Sequence, residues 1–170
     1  MADLHDVRLY NRLGQTRPLS ALTTLFDLCL VVVDGRRPGQ LRALRRLLER
    51  IDASLSGADC TVGLLAVGVD WKEAVAVAGP LAERMAIFAD PDAAAAQALG
   101  IRRAPALLWV STEPAVRGLL EGWEPSAWRA VLTELARKLA WTRPLIPAPG
   151  DPPPVPAQPL AALRVAADAN

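Results

Sequence analysis

The sequence predicts an α/β domain, a central mostly parallel sheet with helices on both faces and an antiparallel hairpin toward the C-terminus. Three observations predict it. Leu28–Val33, Thr61–Val67 and Met85–Ala89 are short apolar runs, as expected of strands buried on both faces. The segments between them carry helical signals, clearest at Leu41, Leu44, Leu47, Leu48, Ile51 and Leu55, whose spacings of three and four make one apolar face. Last, Ala106–Val110 and Ala115–Glu121 flank a turn at Glu113-Pro114 and read as a hairpin.

Taken in order, Val7–Tyr10 alternates like a short strand and Asn11–Gln15, with Gly14, reads as a turn. Ser20–Leu25 is expected to form a helical turn. The strand at 28–33 leads into a helix over 38–55, and 61–67 is the next strand. Asp70-x-x-Glu73 has the form of a capping box, opening a helix that Gly79-Pro80 interrupts. After the strand at 85–89, Asp90-Pro91 reads as an N-cap with proline at the first helical position, and Gly100 closes that helix. A final helix starts near Pro125, with Trp128, Val131, Leu132, Leu135 and Leu139 on one face.

From Arg143 to Asn170 the prolines crowd together, Pro152-Pro153-Pro154 among them, and the segment carries no net charge. Such a stretch favours extended polyproline backbone. The expected organisation is therefore one domain over 1–142 and a disordered proline-rich tail over 143–170, with a short helix over 160–167. Its P-x-x-P spacings leave a partner-binding strap as the other reading of the tail.

Composition excludes several functions. The 170 residues carry a formal net charge of +1, which argues against a dedicated nucleic-acid binder. No apolar run reaches the roughly 18 residues of a membrane span. The polar, acidic start, Met1-Ala2-Asp3-Leu4-His5-Asp6, does not resemble a secretory signal, so the expected location is cytoplasmic. One histidine, His5, and two cysteines, Cys29 and Cys60, cannot supply a zinc site, and no other metal site or cofactor is implied. A Ser-His or Cys-His pair would have to use His5, close to the terminus. The carboxylates Asp34, Asp70, Asp90, Asp92, Glu121 and Glu124 show no acid–base spacing, and Gly35 and Gly39 lack the phosphate-loop pattern.

The segment Gly100-Ile101-Arg102-Arg103-Ala104-Pro105-Ala106-Leu107, followed by a hairpin, a glycine (Gly118 or Gly122) and a last helix, resembles the thioredoxin superfamily. Val7–Asn11, Gly14 and Leu19-Ser20-Ala21-Leu22 resemble the lead-in of its peroxiredoxin and membrane-tethered thioredoxin branch. The resemblance covers about residues 5–142 and implies a thioredoxin-like fold with a cis peptide bond at Ala104-Pro105. Redox-active members carry Cys-x-x-Cys after the central strand, where a helix N-terminus lowers the thiol pKa. Here that stretch is Asp34-Gly35-Arg36-Arg37-Pro38-Gly39-Gln40, with Arg37 and Gln40 at the cysteine positions. No cysteine lies between positions 30 and 59.

The same frame would bring Arg36, Arg37 and Gln40 toward Arg102, Arg103, Ala104 and Pro105, a binding site for a carboxylate, a phosphate or an acidic peptide. Arg42, Arg45, Arg46 and Arg50 add a basic helix face that would suit an acidic partner protein, or would simply be the solvated face. Family members without the dithiol resemble assembly chaperones and accessory subunits of larger complexes, hydrogenase-maturation chaperones among them. The expected function is thus redox-inactive protein binding. The alternative is a thiol oxidoreductase or peroxidase working through Cys60 alone. A third reading is a structural module forming a homodimer through Trp71 or Trp123.

Overall fold

The computed structural model describes residues 3–169; Met1, Ala2 and Asn170, which belong to the polar start and to the tail, lie outside it. Its strands are β1 (Arg8–Asn11), β2 (Thr16–Pro18), β3 (Asp27–Asp34), β4 (Cys60–Val67), β5 (Ala86–Asp90), β6 (Arg103–Ala104), β7 (Ala106–Val110), β8 (Val116–Glu121) and β9 (Gln158–Pro159). Its helices are α1 (Leu19–Leu22), α2 (Pro38–Leu55), α3 (Trp71–Ala78), α4 (Ala94–Ala98), α5 (Pro125–Lys138) and α6 (Ala161–Asp168). A seven-stranded sheet runs β2-β1-β5-β4-β3-β7-β8, and β6 and β9 form a separate pair. β3, β4 and β5 are parallel, while β7 pairs antiparallel with β3 and β8 with β7. The α/β architecture is as expected, but the sheet is mixed rather than mostly parallel: only β3–β4 and β4–β5 are parallel, because the N-terminal hairpin adds β1 antiparallel to β5 at one side as β7 and β8 do at the other.

The all-apolar strands are explained by what covers each face. Along β3, Cys29, Val31 and Val33 point into one core with the leucines of α2 and with Trp128, Leu132 and Leu135 of α5. Leu28, Leu30 and Val32 point into the other, with Leu19, Leu99, Ile101 and Leu160. A period of two thus feeds two cores at once. Polar groups at the strand ends are paired. Asp27, buried at the start of β3, accepts from Lys138 Nζ at 2.7 Å, Trp109 Nε1 at 2.8 Å and Thr112 N at 3.1 Å, fastening α5 and the β7–β8 turn to the central strand.

Several local expectations are refined. The turn at 11–15 closes a β1–β2 hairpin rather than only ending a strand. The helical turn runs over Leu19–Leu22 instead of 20–25. The Asp70–Glu73 capping box forms, with Asp70 accepting from Glu73 N and the Glu73 side chain from Asp70 N. Asp90-Pro91 does not open a helix; Asp90 ends β5 and α4 begins only at Ala94, after Ala93 at φ 60°. Asp90 still caps α4 from a distance, accepting from Ala95 N at 3.1 Å and Ala96 N at 2.7 Å.

The largest departure is the C-terminal segment, expected to be disordered and found laid across the domain. Just ahead of it, still within the expected domain, Trp141 covers Gly57 and donates to Ser54 O at 2.8 Å. Ile146 is buried, and Asp151 pairs with Arg50 at 2.6 Å. Trp123 Nε1 donates to Pro152 O at 3.0 Å, and Val155 and Trp123 exchange backbone hydrogen bonds. The physical reason is that proline-rich backbone, unable to donate from its prolines, still offers carbonyl acceptors, and the domain aims indole and guanidinium donors at them. Trp123, offered by the sequence as one of two dimer-forming residues, is fully buried in a T-shaped contact with Trp128 at 5.0 Å and presents no surface to a second copy. Trp71 is half-buried, its indole in contact with Gly14.

Candidate functional site

The C-terminal end of β3 and the segment before Pro105 meet as expected. Asp34 ends β3 with its side chain buried, and its carboxylate accepts from Arg36 N and from Ala161 N, both at 3.0 Å. Asp34 thereby holds the turn into α2 and receives the first backbone N–H of α6, a favourable place for an anion. Gln40, in the first turn of α2, spans the gap between the two loops. Its side-chain oxygen accepts from Asp34 N at 2.9 Å, and its side-chain nitrogen donates to Ala104 O at 3.0 Å. Gln40 is thus used as a brace between β3 and the pre-proline segment.

The arginines do not converge as the sequence reading placed them. Arg36 Nε donates to Gly68 O at 3.1 Å, turning that side chain toward the end of β4. Arg37 donates to Pro159 O at 3.1 Å and lies 3.8 Å from Asp34. Arg102 and Arg103 have exposed side chains, and their backbone N–H groups both donate to Glu121 Oε1, at 2.8 and 3.0 Å. The anion held at the pre-proline backbone is therefore the protein's own Glu121. On the α2 face, Arg50 is taken up by Asp151 and Leu145 O, while Arg42 and Arg46 are exposed.

Ala104 and Pro105 are buried, and the peptide bond between them is cis. The open edge of β6 is occupied. Arg103 pairs with Pro159 and Ala104 with Gln158 in an antiparallel ladder, and Leu160 N donates to Arg102 O at 3.0 Å. Leu160 is buried against Ile101 and Ala104 in the second core. Sequence reasoning missed Asp34, Glu121 and this strand. The available signal was slight: two apolar residues, Val155 and Leu160, with no strand spacing between them, inside the proline-rich tail.

The two cysteines lie elsewhere. Cys60 starts β4, opposite Asp27, while the site sits at the Val67 end; at about 3.3 Å per residue they are roughly 23 Å apart along the strand. Burial first, and the nearby Asp27 carboxylate second, push the Cys60 thiol up to about 12. Burial also raises the Cys29 thiol. Among the described residues, no cluster of histidine, cysteine or carboxylate side chains is arranged to hold a metal ion.

No protein-family model and no curated protein matches the chain. Solved structures do. A protein named as the thiol:disulfide interchange protein DsbE of Chlorobium tepidum is 16% identical, with a TM-score of 0.61 over 82% of this chain and 99% of that one. PrxQ of Xylella fastidiosa is 12% identical, with a TM-score of 0.59 over 79% and 91%. A secreted Mycobacterium tuberculosis disulfide oxidoreductase, homologous to DsbE, is 14% identical, with a TM-score of 0.55 over 78% and 93%. Likeness at these identities is a matter of architecture, and with the sheet order and the pre-proline segment above it shows that this chain has the thioredoxin-like fold.

Proposed function

We propose that this chain is a redox-inactive thioredoxin-like protein that acts by binding another protein, as an assembly chaperone or an accessory subunit of a larger complex. The observation that carries the reading is the pre-proline edge itself. Where the dithiol would stand, Gln40 braces β3 against Ala104, and beside it β6 holds an extended peptide segment by backbone pairing. That is a way of recognising peptides, with main-chain bonds for affinity and side-chain pockets for selectivity. The exposed guanidinium groups of Arg102 and Arg103, with Arg37 alongside, favour a partner whose segment is acidic near this edge.

The competing reading, a thiol oxidoreductase or peroxidase using Cys60, draws on the activities of the structural neighbours. Against it stand the position of Cys60 at the far end of β4 and a thiol held protonated at neutral pH. A cytoplasmic location remains part of the proposal; among the described residues no helix is long and apolar enough to cross a membrane. Cell fractionation is its check, since one neighbour is secreted.

The test is the double substitution Arg37→Glu and Arg103→Glu. It should abolish salt-sensitive capture of an acidic partner while the circular dichroism spectrum and melting temperature stay near wild type, both side chains lying at the surface or only half-buried. Partner binding that survives both charge reversals would remove the arginines from the mechanism.

A further inference from the structure

The β6 edge is filled by a segment of the same chain, and the contacts that hold it read like those of a ligand. Gln158 and Pro159 pair with Ala104 and Arg103. Arg37 accepts no bond here but donates one, to Pro159 O at 3.1 Å. Leu160 fills an apolar pocket against Ile101 and Ala104, and Ala161 N reaches the buried Asp34 carboxylate at 3.0 Å. Upstream, Ala157 lies against Gly122, where a Cβ would come within 3.2 Å of Ala157 N, so the segment runs backbone to backbone past a residue that has no side chain.

The hold is tightest at Leu160 and Ala161 and lighter beyond them, where Ala162 and Leu163 are only partly buried against the same core. None of the described α6 residues is buried, and Val165 is 58% exposed. Residues 158–161 are thus seated by two strand pairs, one leucine, one arginine and one aspartate, with a lightly packed helix following. Proline-rich backbone stays extended when released, so it loses little freedom on docking and can be exchanged for another chain of the same kind.

We propose that Gln158–Ala161 is the resident ligand of the β6 edge, and that a partner docks by offering an extended segment of the same pattern, a polar residue, proline and leucine leading into a helix start, which displaces it. This rests on the reading of the edge as a peptide-binding site. The pattern follows from the contacts. Proline is admitted because position 159 faces Arg103 without donating, leucine is selected by the pocket, and Asp34 takes the first amide of the helix that follows.

The experiment uses the full chain and a fluorescein-labelled synthetic peptide with the sequence of residues 153–166. One variant combines Leu160→Asp with Ala161→Pro; the second carries Ala161→Pro alone, which removes the amide that Asp34 accepts yet suits the first position of a helix. Amide exchange at position 160, whose N–H donates to Arg102 O, reports whether the segment is seated. Exchange should be slow in the wild type and fast in the double variant, and the double variant should bind the peptide at least roughly tenfold more tightly than the wild type. Wild-type chain that binds the peptide as tightly as the variants overturns the inference, since the edge is then not filled. Exchange that stays slow in both variants also overturns it, because Leu160 and Asp34 then do not hold the segment. A released edge that ignores the peptide overturns the assignment of ligand pattern. Whether the edge binds any protein is read separately from the Arg37→Glu, Arg103→Glu capture. That variant also loses the Arg37 contact to Pro159, so lost capture there cannot come from a tighter segment.

Discussion

At the scale of single residues, two positions decide what chemistry the fold can do. Gln40 is a two-sided hydrogen-bonding brace between β3 and the pre-proline segment, and each bond adds about 0.5–1.5 kcal/mol of net stability. Cys60 carries the remaining thiol chemistry, and its surroundings work against it. With the thiol pushed up to about 12, the thiolate fraction at pH 7 is about one in 10^5. Labelling of native protein with a thiol reagent at pH 7 should therefore be roughly 10^3-fold slower than labelling in urea, where the thiol returns to its ordinary value. Equal rates in the two conditions would show an exposed, reactive thiol and move the balance to the oxidoreductase reading.

At the scale of elements, β3, β4 and β5 were legible in the sequence because burial on both faces leaves an uninterrupted apolar run. α2 was legible because its six buried positions repeat at helical spacing. The α4 region misled. Its cap, Asp90, sits at the end of β5 and reaches Ala95 and Ala96 through space, so a local N-cap rule placed the helix start three residues early, at Pro91 instead of Ala94. The same residue carries a pH signature. Burial holds its carboxyl above the ordinary value of 3.8, so the native state binds this proton more tightly than the unfolded state does. Its contribution to stability is present below that ordinary value and is lost as pH rises through the raised one. The stability difference between the wild type and Asp90→Asn, taken from urea midpoints at a series of pH values, should thus fall as pH rises from about 3.5 toward neutrality. A difference that grew with pH would contradict the assigned direction.

At the scale of the whole molecule, the C-terminal segment ties together parts that the sheet alone leaves separate: the end of α2, the start of α5, β6 and the end of β3. It was illegible because its contacts obey no period. They are made by prolines' carbonyls, by one aspartate and by two apolar side chains, and the donors that meet them come from sequence-distant Trp123, Arg50 and Arg37. Asp151 is the pivot, its side chain 4% exposed and shared between Arg50 and Ala148 N. Asp151→Ala should cost about 1–3 kcal/mol and speed amide exchange across 145–155. Exchange in β3 and β4 should stay as it was. Uniform acceleration through the whole sheet would mean that the segment is part of the folding unit and no strap on its surface.

The bond from Ala161 to Asp34 joins residues 127 apart in sequence. On the ribosome, the sheet and α5 are complete in sequence once Leu139 has been added, and residue 161 follows roughly 1–4 s later at 5–20 residues per second. Until residues 158–161 are free to dock, the chain has a bare β6 edge that the finished protein has covered. A partner present at the site of synthesis meets no competitor there, whereas one arriving later must first unseat Leu160.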